Sequence, residues 1–372
     1  MRGTGSVKRV FPGGNTSQGF YSFYDYIITP DATRIFILKG GPGVGKSTLI
    51  RRIGEAMVQR GYDIEFHHCS SDNKSLDGVV IPDIGVALID GTAPHIVDPK
   101  NPGCVGEILH LGDFWDEDGI RAHKKEILDL SFEVSSLFQR AYRFLKAAKS
   151  VYDDWEACNL EAMLFGRANR KTALIIDELL GSRPVALQVG RDRHLFASAI
   201  TPGGLVNYLE TIVGPCPKRY VIDGRPGTGK STLLRKVAGA AMERGLDVEM
   251  YHCPLNPERV EHVVIPRLGV ALTKSIEPHV YEGKPGDERH DMNECLNLRI
   301  LEKYQGIVQE NAEVFEDLFQ RAIRFIGAAK AMHDLMETYY VPHMDFNGIH
   351  NLGENILKRV LRYAGEHSVK IG

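Results

Sequence analysis

The stretch Gly40-Gly41-Pro42-Gly43-Val44-Gly45-Lys46-Ser47-Thr48 fits the pattern G-x-x-x-x-G-K-[ST] without a mismatch. It follows the apolar residues 35–38 and precedes apolar residues at helical spacing, among them Leu49 and Ile53. A glycine-rich loop between a strand and a helix lets backbone N–H groups surround phosphate oxygens, and the helix N-terminus adds partial positive charge. The stretch therefore predicts a phosphate-binding loop.

The same pattern occurs a second time, as Gly224-Arg225-Pro226-Gly227-Thr228-Gly229-Lys230-Ser231-Thr232, again directly after an apolar run. We expect residues 41–48 and 225–232 to bind a nucleoside triphosphate each. In such loops the lysine, here Lys46 or Lys230, reaches the β- and γ-phosphates. The following serine hydroxyl, here Ser47 or Ser231, binds Mg²⁺. The sequence thus predicts ATP and Mg²⁺ as ligands.

The remainder of the chain repeats together with the loops. At the offset that aligns Lys46 with Lys230, His68-Cys69 falls on His252-Cys253 and Pro94-His95 falls on Pro278-His279. A slightly smaller offset aligns Gln139-Arg140-Ala141 with Gln320-Arg321-Ala322. Self-similarity over most of a chain indicates duplication of one structural unit. We therefore predict two tandem units, residues 1–190 and 191–372.

The pattern of apolar segments predicts an α/β fold. In the first unit the segments 35–38, 63–68 and 85–89 read as strands separated by helices or long crossovers, which is typical of a doubly wound parallel sheet. Apolar residues then recur at helical spacing from Ile127 to Ala148. We expect two three-layer α/β/α units with mostly parallel sheets, each with a long helical insertion.

Smaller elements are predicted from local signals. Thr16 and Thr201 precede apolar stretches and predict helix N-termini. The segments Val185-Ala186-Leu187 and Val369-Lys370-Ile371 predict a closing strand for each unit.

Two acidic segments compete as the partner of the first loop, because a phosphoryl-transfer site uses a strand-end acid to hold Mg²⁺. One is Asp90, after the apolar residues 86–89, and the other is Asp177-Glu178, after 173–176. In the repeat, Asp177-Glu178 falls opposite Lys358-Arg359, within an amphipathic helical pattern. We therefore favour Asp90 as the metal-associated, catalytic acid; the alternative is a turn-forming aspartate before Gly91.

The position opposite Asp90 in the second unit is Lys274, which cannot hold a metal ion. The sequence therefore predicts that the first site, with Lys46 and Asp90, is complete. The second site, with Lys230, is expected to bind nucleotide but to hydrolyse it poorly.

Other polar residues leave alternatives open. His68-Cys69 and His252-Cys253 could contribute to a metal site, although a structural role at a strand end is favoured. His95 could contact a γ-phosphate or simply begin a loop. Arg140 and Arg321 could act as arginine fingers, but a solvated helix face is favoured. Asn73-Lys74-Ser75-Leu76-Asp77 has one residue too many for the guanine-reading N-K-x-D pattern, so ATP is favoured over GTP.

The composition narrows the choice of partners. The net charge of −3 gives no electrostatic reason to expect nucleic acid as a partner. No run approaches the roughly 20 apolar residues that span a bilayer, and the basic start of the chain has no apolar stretch behind it. The six cysteines are scattered, which is typical of reduced thiols. We expect a cytoplasmic protein without a membrane partner; a protein partner and the oligomeric state are not indicated.

The two loops are Walker A motifs, and through them the chain resembles the P-loop NTPase superfamily. The duplication resembles a bacterial group of uncharacterised tandem P-loop proteins, which implies ATP binding but no defined reaction. The first functional hypothesis is a Mg²⁺-dependent ATPase that acts as a two-unit switch. A small-molecule or nucleotide kinase, with residues 119–157 as a lid, and a non-catalytic nucleotide sensor remain alternatives. Gly91 follows Asp90 where a strong ATPase has a catalytic glutamate, which favours slow hydrolysis.

Overall fold

The structure is a computed structural model that describes residues 3–93, 95–275 and 281–371, excepting the side chains of 368–371. Its first eight strands are β1 (Val7–Val10), β2 (Gly13–Thr16), β3 (Gly19–Ser22), β4 (Arg34–Lys39), β5 (Ile64–His68), β6 (Leu76–Ile81), β7 (Val86–Asp90) and β8 (Gly106–His110). The others are β9 (Asp192–Leu195), β10 (Ser198–Thr201), β11 (Gly204–Asn207), β12 (Lys218–Asp223), β13 (Val248–His252), β14 (Val260–Ile265), β15 (Val270–Lys274) and β16 (Glu288–Asp291).

The helices occupy the segments between these strands and after them. They are α1 (Lys46–Val58), α2 (Glu117–Ala122), α3 (Lys124–Glu161), α4 (Phe165–Leu180), α5 (Leu209–Ile212), α6 (Lys230–Glu243), α7 (Leu298–Leu301), α8 (Gln305–Tyr340) and α9 (Phe346–Ile371). Within the described ranges, none of the helices is apolar over a length that could cross a membrane.

Two six-stranded sheets have the same strand order, β1-β5-β6-β7-β4-β8 and β9-β13-β14-β15-β12-β16. In the first, β4 lies between β7 and β8 and runs parallel to both. β6 runs antiparallel to its neighbours β5 and β7, and β14 does the same in the second sheet. The predicted α/β class with mostly parallel sheets is therefore confirmed, with one reversed strand in each sheet that the sequence did not suggest.

The chain forms two compact units that do not follow the sequence boundary at residue 190. The first unit combines the segment up to Gly13, Ser22–Gln139 and the segment from Phe325 onward; the second combines Gly14–Tyr21 and Arg140–Arg324. Each sheet is therefore packed against by the last helix of the other sequence repeat: α9 packs on the first sheet and α4 on the second. Ile356 and Val360 of α9 are buried in the core of the first sheet, and Ile175 of α4 in that of the second.

The helical interpretation of Asp177-Glu178 is confirmed, because both residues lie in α4. Glu178 accepts hydrogen bonds from Lys218 Nζ at 2.5 Å and Tyr220 Oη at 2.6 Å, on the outside of the second sheet. Within the apolar run before Asp177, Ile175 is buried and Leu174 is exposed, because consecutive residues of a helix point in different directions. The run does not form a strand at a phosphate loop.

Two local predictions are wrong. Thr16 and Thr201 do not begin helices but close the β2–β3 and β10–β11 hairpins, where each hydroxyl donates to the carbonyl of Gly19 or Gly204 at 2.8 and 2.7 Å. A threonine hydroxyl can cap a tight turn as readily as a helix, so the signal is ambiguous. Neither of the two expected closing strands is a strand: Val185-Ala186-Leu187 is irregular, and Val369-Lys370-Ile371 continues α9.

Candidate functional site

The first glycine-rich loop connects β4 directly to α1. Helix α1 begins at Lys46, and Gly45 before it has a φ of 85°, which only glycine adopts without strain. The Lys46 ammonium group donates hydrogen bonds to the carbonyl oxygens of Gly40 at 2.8 Å and Gly41 at 2.7 Å. The free N–H groups of the first helical turn and the lysine thus lie at one end of the sheet, as an anion site requires.

Asp90 lies beside this loop at the end of the neighbouring strand β7, where it pairs in register with Leu38 of β4. Its carboxylate is 3.7 Å from Lys46 Nζ, and both side chains are largely buried. The carboxylate also accepts a hydrogen bond from the Thr92 N–H at 2.9 Å. Asp90 therefore both stabilises the turn that follows β7 and lies beside Lys46. The structure therefore brings together Lys46 and Asp90 as the sequence predicted.

Asp77 is a second acid at this site that the sequence analysis did not select. Gly78 pairs with Ile89 across antiparallel strands, so the next step along the register places Asp77 opposite Asp90 on the same face of the sheet. Tyr24 Oη donates a hydrogen bond to Asp77 at 2.7 Å. Burial raises the pKa of Asp77, and the Asp90 carboxylate adds to this, while His95 opposes it. Two carboxylates therefore lie opposite each other on neighbouring strands, and Asp90 is the one that reaches the first glycine-rich loop.

The second loop has the same backbone but a different electrostatic setting. Helix α6 begins at Lys230, after Gly229 with a φ of 82°. Lys230 Nζ donates to the carbonyl oxygens of Gly224 at 2.5 Å and Arg225 at 2.6 Å. Burial, followed by the charge of Lys274, lowers the pKa of Lys230 to about 7. The cation of the second loop is therefore easily neutralised.

The residues opposite each other at the two strand ends explain this difference. Lys274 and Glu261 of the second unit hold the positions that Asp90 and Asp77 hold in the first. Lys274 Nζ lies 3.5 Å from Glu261 Oε1, and only about a tenth of either side chain is exposed. The first unit thus has a pair of carboxylates where the second has an ion pair.

Mg²⁺ prefers a few hard oxygen ligands from the protein and completes its shell with phosphate and water oxygens. The Ser47 hydroxyl and the Asp90 carboxylate are such ligands. The Ser47 Oγ accepts a hydrogen bond from the Leu76 N–H at 2.9 Å, which places this hydroxyl at the start of the strand that carries Asp77. The first loop therefore fits the ion. At the second loop, the position equivalent to Asp90 is held by Lys274, whose positive charge repels a cation. Within the described part of the chain, Ser231 therefore has no carboxylate at that strand end to share a metal ion with.

The His-Cys pairs have structural partners. His68 contacts Arg9 Nη1 at 3.0 Å through Nε2 and the Asn73 carbonyl at 2.9 Å through Nδ1. Burial lowers its pKa to about 4, and burial also raises the pKa of the Cys69 thiol. His252 likewise contacts His194 and the Pro257 carbonyl. Across the described part of the chain, no three His, Cys, Asp or Glu side chains are grouped so as to hold a metal ion.

His95 lies against the acidic pair of the first unit. Its ring stacks on Tyr24 with a centroid distance of 4.8 Å and an interplanar angle of 14°. Its Nε2 is 3.9 Å from Asp77 Oδ1. His95 thus contacts Asp77, the acid that lies opposite Asp90. Its neighbour Pro94 and the repeat partners Pro278-His279 lie outside the described residues.

A helix end covers each loop. A Cβ atom added at Gly43 would lie 2.9 Å from Val341 Cγ2, just after α8, and one added at Gly227 would lie 2.4 Å from the Glu156 carbonyl oxygen of α3. Arg321, for which an arginine-finger role was left open, is exposed and pairs with Asp317 on its own helix. This agrees with the solvated helix face that was favoured.

A comparison of the chain with protein-family models, curated proteins and solved structures found no match.

Proposed function

We propose that the first unit binds Mg²⁺-ATP and hydrolyses it slowly, and that the second unit binds nucleotide with little turnover. The proposal is carried by one observation: Asp90, opposite Asp77 in the sheet, lies 3.7 Å from Lys46 at the first loop, whereas Lys274 forms an ion pair with Glu261 at the second.

Each residue of the first loop has a defined part in this proposal. The loop N–H groups and Lys46 bind the phosphates and stabilise the charge that develops during phosphoryl transfer. Ser47 and Asp90 would hold the metal ion, which neutralises phosphate charge and orients the γ-phosphate. Asp77 lies opposite Asp90 and supplies a further acceptor beside the reacting group. A kinase remains the alternative, and turnover that requires an acceptor would reveal it.

The test is the loss of one carboxylate against a matched change in the second unit. Asp90→Asn should lower Mg²⁺-dependent ATP turnover roughly 10- to 100-fold, since a metal-holding group is lost. Lys284→Gln, which removes an exposed charge of the second unit, should leave turnover within about twofold. Phosphate release measured over a range of Mg²⁺ concentrations compares the two. Unchanged turnover in Asp90→Asn, at every Mg²⁺ concentration, would contradict the proposed role of the first loop.

A further inference from the structure

The second unit contains a cavity of about 410 Å³ beside its phosphate loop. It borders residues 224–226 of the loop, Glu261 and Lys274 at the ends of β14 and β15, and the neighbouring faces of α3 and α8. Pockets of about 300–1,000 Å³ are typical of small-molecule sites. The cavity is therefore large enough for a ligand beside a phosphate group on the loop.

One wall of the cavity consists of aromatic rings. The ring of Tyr152 lies edge-on to Trp155, with 5.8 Å between the ring centroids, and is tilted against Phe315, with 5.5 Å between centroids. Phe315 in turn stacks on Phe319 at a centroid distance of 5.5 Å. Such rings offer flat apolar faces on which the ring of a ligand can stack.

Charged side chains also line the cavity. Four cationic side chains line the cavity, against the carboxylates of Glu156 and Glu261; they are Lys149, Arg225, Arg259 and Lys274. Arg259 contacts Glu156, Lys274 contacts Glu261, and Lys149 contacts Asp153. Arg225 belongs to the loop itself and adds its positive charge next to backbone N–H groups that suit a phosphate.

We propose that this cavity binds an aromatic phosphate ester of about the size of a nucleoside monophosphate. The ring system stacks on the wall of Tyr152, Trp155 and Phe319, and the phosphate lies toward Arg225 and Lys274. Aromatic side chains stabilise bound bases by stacking in nucleotide-binding proteins, and the cations add affinity for the phosphate. This inference goes beyond hydrolysis at the first loop and does not depend on it.

Trp155 is a built-in reporter, because Trp115 is the other of only two tryptophans. The titrated protein is the full chain with two substitutions, Trp115→Phe and Lys46→Ala. The first leaves Trp155 as the single tryptophan, and the second removes the lysine proposed to bind phosphate at the first loop. AMP and phenyl phosphate are the probes, with ribose 5-phosphate, inorganic phosphate and adenosine as controls that lack the ring or the phosphate. We expect a saturable change in Trp155 fluorescence with AMP or phenyl phosphate, at concentrations at least about tenfold below any response to the controls.

Substitutions locate the bound probe. Phe319→Leu and Arg225→Gln should each weaken binding about tenfold, whereas Lys284→Gln, a surface lysine of the same unit, should not change it. The inference is overturned if neither aromatic phosphate gives a saturable response, or if ribose 5-phosphate binds as tightly as AMP. The fluorescence titration of the parent protein decides the matter even if a substituted protein fails to fold. ATP turnover by the intact first loop is measured separately, so failure of either proposal is recognised by itself.

Discussion

Replacement of Lys274 by glutamine should destabilise the second unit, because it removes the cation that faces a buried carboxylate. Lys274 Nζ and Glu261 Oε1 are 3.5 Å apart, which gives an attraction of about 5 kcal/mol at an effective dielectric constant of about 20. Part of this is offset, since Lys274 also repels Lys230, whose pKa is lowered by burial and by that charge. We expect a loss of about 3 kcal/mol in the free energy of unfolding.

The assay is urea unfolding in a Trp115→Phe background, so that Trp155 reports on the second unit. Lys284→Gln is the matched control: its ion pair with Glu210 is exposed, and we expect a change below about 0.5 kcal/mol. Adding Glu261→Gln to Lys274→Gln should restore most of the loss, because the buried charge is then also removed. If Lys274→Gln unfolds like Lys284→Gln, the ion pair does not define the second site as argued.

Two further substitutions test the first unit. Gly43→Ala should lower ATP turnover about tenfold or more, because a φ of 68° and a Cβ atom 2.9 Å from Val341 would cost roughly 1–3 kcal/mol. Gly19→Ala is the control, since Gly19 also has a positive φ, of 97°, but open space around it. Equal turnover in the two proteins would contradict this prediction. Arg359→Ala should lower the stability at pH 7 by about 1 kcal/mol, since its pair with Glu107 is one-third exposed, whereas exposed Arg362→Ala should not. Hydrogen bonding from Arg359 lowers the pKa of Glu107 from its ordinary value. The difference from the parent protein should therefore disappear in acid, as the pH falls through that lowered pKa and the carboxylate takes up a proton; a difference that persists in acid unfolding would refute the role of the pair.

Much of the site could be predicted because its geometry is local. The residues 40–48 need glycine at positive φ and a lysine at the start of a helix, and these requirements are visible in the sequence. Asp90 was identified because it follows the apolar residues of β7, and Asp177 was set aside because its repeat partner Lys358 lies in a helical pattern. The repeat therefore supplied information that one copy could not.

The missed features depend on contacts between distant segments. Asp77 lies opposite Asp90 only because β6 runs antiparallel between two parallel strands, which no local pattern indicates. One signal was available: Glu261 stands at the same position of the repeat, so an acid occurs there twice. The docking of α9 on the first sheet and of α4 on the second could not be predicted, because duplicated sheets offer similar apolar faces to Ile356 and Ile175.

The unequal roles of the two loops are tested most directly by comparing ATP turnover in Lys46→Ala and Lys230→Ala. The two substitutions remove the same side chain from the same loop position, so the comparison isolates the surroundings. The account predicts that Lys46→Ala loses roughly 100-fold in turnover, while Lys230→Ala keeps it within about threefold. Equal losses in the two proteins, or a larger loss in Lys230→Ala, would contradict it.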